Sequence, residues 1–340
     1  MKIVDFGRFA LGTCVAAAML GGCGGSQPPI GASGAMPQTS GIATHADGGK
    51  SWMLPEAKNE ELLYAANQHA SYGGSVVVFA YPKGNVVGQL TFSGSPSGLC
   101  ADGAGNVFVT AADTYSQGYV YEYAHAGTQP IATLSDPGAP YGCSVDPTTG
   151  NLAVANIATL SHDGFVAVFQ DAQGPAKTYN DSDDENPTFC TYDDSGNLFI
   201  DGSYGGPDSM IGELPSGSGI FTNITLSESI GPQSLQWNEG SLITVGTPSD
   251  MHGEENVYQI KVSGTSGTVS GPVSLWSLKD RNPGGGIGNW LQANTMIGPD
   301  WNHGEMDLIN FWRYPKGGKP TKTLHVKGAA FLGVAISVAK

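Results

Sequence analysis

Residues 96–109 read PSGLCADGAGNVFV. The stretch holds a proline, a short apolar run, an aspartate, a Gly-Asn turn and a second apolar run. It recurs as PYGCSVDPTTGNLAV (140–154), PTFCTYDDSGNLFI (187–200) and PQSLQWNEGSLITV (232–245). Pro96, Pro140, Pro187 and Pro232 are therefore spaced by 44, 47 and 45 residues. A second motif carries the same period. SVVVFAYPKG ends at Gly84 and DLINFWRYPKG ends at Gly317, so Tyr81 and Tyr314 lie 233 residues apart, five periods of about 46.6.

A period in the forties with four short strands per unit marks a β-propeller rather than a helical solenoid. One unit shows all four strands, GLCAD, NVFVTA, YVYEYA and QPIATL. Asp102-Gly103, Ser116-Gln117-Gly118 and Ala126-Gly127 separate them as turns. Val, Tyr, Phe and Ile fill the strands, as a pleated, half-buried surface requires. Residues 62–92 supply three strands but no innermost one. The tail, AAFLGVAISVA (329–339), is a spare apolar strand that fits the gap. Joining it there removes the free sheet edges. The fold expected is all-β: a six-bladed β-propeller over 61–340, its ring closed by the C-terminal strand joining the N-terminal blade. About 280 residues divided by the period give that count.

The segment PSGLCADGAGNVFVTAAD (96–113) resembles the NHL-repeat consensus, in which Pro-x-Gly, an apolar strand, Asp, a Gly-Asn turn and a strand ending in Ala-Asp recur. The pattern is legible in four of the six units and degenerate around 285–325. The Arg that often follows Ala-Asp in that family is absent after Asp113. The resemblance implies the fold. It implies no single activity, because such propellers serve as binding modules, lactonases and lyases alike.

Ahead of the repeats stands an address. Residues 1–22 hold Lys2 and Arg8, then an apolar run from Phe9 to Leu20, too short to span a bilayer permanently. Leu20-Gly21-Gly22-Cys23 resembles the bacterial lipobox, which makes Cys23 the expected lipidation site. Gly24 is not the Asp that often signals inner-membrane retention. The expected location is the cell envelope, lipid-anchored, at the outer membrane or cell surface rather than the cytoplasm. Residues 23–60 are rich in Gly, Ser, Pro and Ala without a hydrophobic period, and read as a tether.

The chain has 340 residues with 50 Gly and 21 Pro; 40% are apolar and 13% charged. That is enough apolar matter for a sizeable core and too little charge for disorder. A net charge of −15 argues against nucleic acid. The expected partners are a membrane through the lipid and a protein or glycan ligand, with the chain a monomer.

Several features invite chemistry and are read structurally. Asp102, Asp146, Asp193 and Asn238 precede Gly-containing turns, and such side chains hydrogen-bond their own turn. Cys143 and Cys190 share a repeat position, with Cys100 one place further along. Corresponding positions in neighbouring blades are expected to exceed the ~7 Å disulfide limit, so all three read as buried free thiols. No C-x-x-C pair suggests zinc. DSDDEN (181–186) lacks EF-hand spacing and reads as a solvated link.

The connections between second and third strands are the exception. They span about 67–74, 111–118, 156–164, 201–209, 247–256 and 298–306, and open on one face. His69, His162, His252 and His303, four of the seven histidines, fall there. So do Tyr72, Asp113, Tyr115, Asp163, Asp201, Tyr204, Glu254, Trp301 and Glu305. The opposite hairpins, such as PKGN and PKGGK, are shorter and more basic. Aromatic and polar side chains on loops over a rigid scaffold suit partner binding. The function expected is a lipid-anchored binding module, with no catalytic constellation, no cofactor and no resident metal. The alternative is a metal-dependent hydrolase or lyase, resembling gluconolactonase or virginiamycin B lyase propellers, with Ca²⁺ or Mg²⁺ in the central channel. His252 or His303 with Glu254 or Glu305 would serve the lyase. Ser97, Gly98, Tyr141, Thr188, Phe189, Gln233 and Ser234 begin the inner strands and include no carboxylate, which counts against the hydrolase.

Overall fold

The computed structural model describes residues 50–68, 74–91, 94–114, 117–159, 163–181, 186–202, 210–248, 256–277, 287–300 and 306–340. Among the described residues, two short 3-10 turns, Pro55–Asn59 and Gln170–Ala172, interrupt an otherwise all-strand structure. Among the described residues, no helix is long and apolar enough to cross a membrane.

The first strands are β1 (Trp52–Met53), β2 (Glu61–Asn67), β3 (Ser75–Tyr81) and β4 (Val86–Thr91). Next, β5 (Ser95–Ala101), β6 (Val107–Thr114), β7 (Gln117–Tyr123) and β8 (Pro130–Asp136) form a four-stranded antiparallel sheet in chain order. A second such sheet holds β9 (Pro140–Val145), β10 (Leu152–Asn156), β11 (Phe165–Phe169) and β12 (Lys177–Tyr179). A nine-stranded sheet follows. It contains β13 (Pro187–Tyr192), β14 (Leu198–Gly202), β15 (Met210–Leu214), β16 (Thr222–Leu226), β17 (Ile230–Pro232), β18 (Gln236–Asn238), β19 (Ser241–Pro248), β20 (Asn256–Ser263) and β21 (Ser266–Ser274). Its two halves are antiparallel and meet at one parallel join, where Thr225 and Leu226 face Ser266 and Gly267. Then come β22 (Trp290–Gln292), β23 (Thr295–Asp300), β24 (Leu308–Arg313) and β25 (Lys322–His325), again in chain order.

The last strand, β26 (Phe331–Ser337), does not continue that sheet. It pairs antiparallel with β2, from Leu62 opposite Ser337 to Asn67 opposite Phe331, giving the order β1-β4-β3-β2-β26. The tail thus supplies the missing inner strand, as the repeat arithmetic predicts. The sheet also takes up residues ahead of 61. Trp52 and Met53 pair with Gln89 and Gly88, and Ala57 is fully buried, so the last residues of the expected tether belong to the folded edge.

Strands such as β3, SVVVFAY, are buried on both faces rather than alternating, because each sheet is covered on both sides. The apolar clusters lie between consecutive sheets, and between the two halves of the nine-stranded one. Leu62 and Tyr64 pack with Val107 and Tyr123. Phe108 and Val120 pack with Leu152 and Phe169. Val166 and Ala153 pack with Ile200 and Leu214. Ile211 and Ile224 pack with Leu242 and Ile260, and Val245 and Val257 with Met296 and Trp312. Finally Ile309 and Phe311 return to Leu63 and Phe79 of the first sheet.

The inner strands run side by side around one channel, start beside start. That crowding explains the Pro-x-Gly of the repeat. A Cβ on Gly98 would lie 2.1 Å from the Tyr141 carbonyl oxygen, and one on Gly142 would lie 2.8 Å from Phe189 Cα. The proline, lacking an N–H, opens the strand at a register shift: pairing slips between Pro96 and Gly98 and between Pro187 and Cys190. Sheets radiating from parallel inner strands around a channel make a propeller arrangement.

The same crowding corrects the reading of the cysteines. Cys100 and Cys143 form a disulfide, with Cα atoms 5.6 Å apart. Neighbouring blades diverge outward, but at the axis their inner strands come within bridging distance. Cys190 is a free, buried thiol.

The aspartates behave as turn residues. Asp102 Oδ1 accepts the N–H groups of Ala104 and Asn106, both at 2.8 Å, and Asp193 Oδ1 accepts those of Ser195 and Asn197 at the same distance. In the Asp146 turn burial would raise the carboxyl pKa, but the Thr148 and Thr149 donors outweigh it and hold it below its ordinary value.

Candidate functional site

The channel holds a cavity of about 160 Å³ lined by every inner strand, from Gly98–Ala101 to Gly333 and Val334. Its chemistry is modest. The disulfide forms part of the wall. Burial, helped by the nearby Asp201 charge, pushes the Cys190 thiol far above its ordinary pKa, so it stays protonated and is a poor nucleophile.

Four polar side chains of this lining join strands. Ser144 Oγ accepts the Tyr192 N–H at 3.1 Å, and Thr191 Oγ1 accepts the Trp237 N–H at 3.0 Å. Ser234 Oγ accepts the Val245 N–H at 3.1 Å. Gln236 accepts the Leu291 N–H at 2.7 Å and donates to the Leu291 carbonyl at 3.0 Å. Among the described residues, no carboxylate or imidazole lines the cavity. Among the described residues, no group of three or more His, Cys, Asp or Glu side chains is close enough to hold a metal ion.

The rim at the C-terminal ends of the second strands is different. Here buried polar side chains tie second strands to the starts of inner strands, to neighbouring strands and to the links between sheets. Thr110 Oγ1 accepts the Gly98 N–H at 2.8 Å and donates to the Tyr141 carbonyl at 2.5 Å. Asp201 Oδ1 accepts the N–H groups of Thr188 and Phe189 at 3.2 and 2.6 Å, pinning the start of β13. Asn67 Oδ1 accepts the Ala330 N–H at 2.8 Å just ahead of β26. Asp300 Oδ2 accepts from Asn310 Nδ2 at 2.7 Å and from the Ser277 hydroxyl at 3.1 Å. Asp136 accepts from the Gly138 N–H at 2.9 Å and from Asn156 Nδ2 at 3.4 Å. Burial dominates those bonds and pushes the Asp136 carboxyl up to about 6.

Of the residues the sequence nominates, Asp201 is 1% exposed and serves this framework, a role its position at a strand end did not reveal. Asp163 is exposed, just ahead of β11. Asp113 lies within β6. His69, Tyr72, Tyr115, His162, Tyr204, His252, Glu254, Trp301, His303 and Glu305 lie outside the described residues. Sequence reasoning missed Asp136, for which the Asp136-Pro137-Gly138 turn was the legible signal; Asp300 falls in the 298–306 connection that it singled out.

No family model matches the chain, and no curated protein does. Solved structures do resemble it. TolB from Acinetobacter baumannii superposes with a TM-score of 0.54 at 12% identity, covering 84% of this chain and 68% of that one. Hydrazine synthase from Kuenenia stuttgartiensis gives 0.56 at 17% identity, covering 82% and 80%. A protein of unknown function from Bacteroides caccae gives 0.56 at 11% identity, covering 82% and 99%. At these identities the likeness speaks to fold alone, and it supports a β-propeller.

Proposed function

We propose that the chain is an exported, lipid-anchored β-propeller that holds a protein, peptide or glycan on the face bearing its second-to-third-strand connections. Divided at its parallel join, the nine-stranded sheet counts as two blades, and the ring then has six NHL-like blades. The observation that carries the reading is the pinned rim. Asp201, Asn67 and Asp300 fix the strand ends from which the His-, Tyr- and Trp-bearing connections leave, and a rigid base under variable loops is how scaffolds present recognition surfaces. In the channel lining, by contrast, Ser144, Thr191, Ser234 and Gln236 are committed to strand joining. The Cys100–Cys143 bridge suits export, since disulfides persist in oxidising compartments.

The test has two arms in living cells. Metabolic labelling with an alkyne fatty acid should mark the wild type and not Cys23→Ser. A photo-reactive benzoylphenylalanine at Tyr115, Tyr204 or Trp301 should give discrete adducts, and one at Gly103 or Ser195 on the opposite hairpins should not. Equal adducts from both faces, or none from the first, would refute the loop-face reading. An unlabelled wild type would refute the anchor.

A further inference from the structure

Residues 313–327 read RYPKGGKPTKTLHVK, five cations and no carboxylate, in a chain with 15 basic and 30 acidic residues. Within it, Tyr314-Pro315-Lys316-Gly317 repeats the turn Tyr81-Pro82-Lys83-Gly84 of the first sheet, and both Xaa-Pro bonds are cis. The two turns differ in what meets the lysine. Lys83 Nζ lies 2.6 Å from Glu60 Oε1. At the corresponding place before β23 stand Ala293 and Asn294, and neither offers a carboxylate. Among the described residues no carboxylate pairs with Arg313, Lys316 or Lys319. Lys322 is engaged elsewhere, donating to the Pro82 carbonyl at 2.6 Å.

These three cations edge a groove of about 640 Å³ between the β24–β25 turn and the end of β21, whose walls include Pro272, Trp276 and Pro315. The volume is that of a ligand pocket. The groove is held open by backbone bonds between the two elements. The Gly318 N–H donates to the Ser274 carbonyl at 2.8 Å, and the Trp276 N–H to the Gly318 carbonyl at 3.0 Å. The Gly317 N–H is committed to the Arg313 carbonyl at 2.7 Å. Pro272 and Pro315 have no N–H to give.

That pattern selects among anions. A compact oxyanion such as phosphate prefers converging backbone N–H groups, and here the N–H groups of Gly317, Gly318, Trp276 and Thr321 are committed within the fold. What remains is a row of side-chain cations above apolar and aromatic walls. Such a row suits an extended ligand with carboxylates spaced along a chain of rings. The ring C–H faces lie on Trp276 and the prolines, and the carboxylates meet the Arg313 fork and the two ammoniums.

We propose that the groove edged by Arg313, Lys316 and Lys319 is a binding site for an acidic saccharide of the polyuronate class. The site lies on the outer rim and does not depend on the loop-face reading.

The test is calorimetric titration of the full chain with hexagalacturonate. Neutral maltohexaose, inorganic phosphate and phosphatidylglycerol vesicles are the comparison probes. Hexagalacturonate should bind and weaken as salt rises, since exposed ion pairs are screened. The double variant Lys316→Gln/Lys319→Gln should bind about tenfold more weakly, roughly 1.4 kcal/mol. Trp276→Ala should also weaken it, while Lys83→Ala in the sister turn should leave it unchanged. Near-ultraviolet circular dichroism checks that each variant is folded, and the surface glutamine pair keeps the test standing if Trp276→Ala is not. No binding of hexagalacturonate, equal binding of maltohexaose, indifference to the glutamine pair, or a preference for phosphate or vesicles would each overturn the proposal.

Discussion

Cys100 and Cys143, 43 residues apart in sequence, are bonded across two neighbouring inner strands at the wall of the channel. The bridge closes a loop that spans one full repeat. Closing a loop of that length should stabilise the fold by about 2–4 kcal/mol. Urea unfolding of wild type against Cys100→Ser/Cys143→Ser should show a loss of that size, and dithiothreitol should shift the wild type the same way. Identical midpoints in all three samples would show that the bridge is absent.

Asp136 should make stability fall as pH rises. Its folded pKa, about 6, exceeds the ordinary 3.8 because the carboxyl is buried. Between those values the folded state binds more protons than the unfolded one, so stability is greatest below the window and declines through it. Above pH 6 the full penalty stands, at about 2–3 kcal/mol. Asp136→Asn keeps an acceptor for the Gly138 N–H and removes the charge. Its advantage over wild type should grow between pH 4 and 6 and then level off. An advantage that does not change with pH would contradict the assignment.

Asp201 and Asp163 should separate cleanly. Asp201→Ala strips the acceptor from the Thr188 and Phe189 N–H groups, and should cost about 1–3 kcal/mol for each donor left unsatisfied. Asp201→Asn should recover much of it. Asp163 is exposed, and its alanine variant should cost less than Asp201→Ala. Equal losses at both positions in denaturant titrations would argue against the framework role of Asp201.

Gly98 should tolerate no side chain. An added Cβ would meet the Tyr141 carbonyl oxygen at 2.1 Å, a backbone atom that cannot swing aside. Gly98→Ala should cost about 1–3 kcal/mol as overpacking. A neutral substitution would mean that the inner strands stand further apart than described.

Much of this fold was legible in the sequence, for identifiable reasons. Phe331–Ser337 was readable as a closing strand because an apolar run with no hairpin partner must pair somewhere. Asp102 and Asp193 were readable as turn residues because their chemistry is local. The disulfide was not, because a repeat period fixes which residues correspond but not how near the axis they stand. The parallel join at Thr225 and Ser266 depends on how outer strands tilt, which no local pattern records. The basic hairpin was visible as a run of lysines, but its partner walls, Pro272 and Trp276, lie some forty residues away. Asp201 read as an open ligand group because a strand end looks the same in sequence whether it faces solvent or the start of the next strand.

Everything placed on either face rests on the pairing of β26 with β2, and deletion of residues 331–340 tests it most directly. Phe331 is fully buried, as are Leu62 and Tyr64 beneath the pairing, so the deletion removes far more than a single core side chain, each worth about 2–5 kcal/mol. The account predicts that differential scanning calorimetry of the shortened chain shows no cooperative transition. A single transition near the wild-type temperature would contradict it.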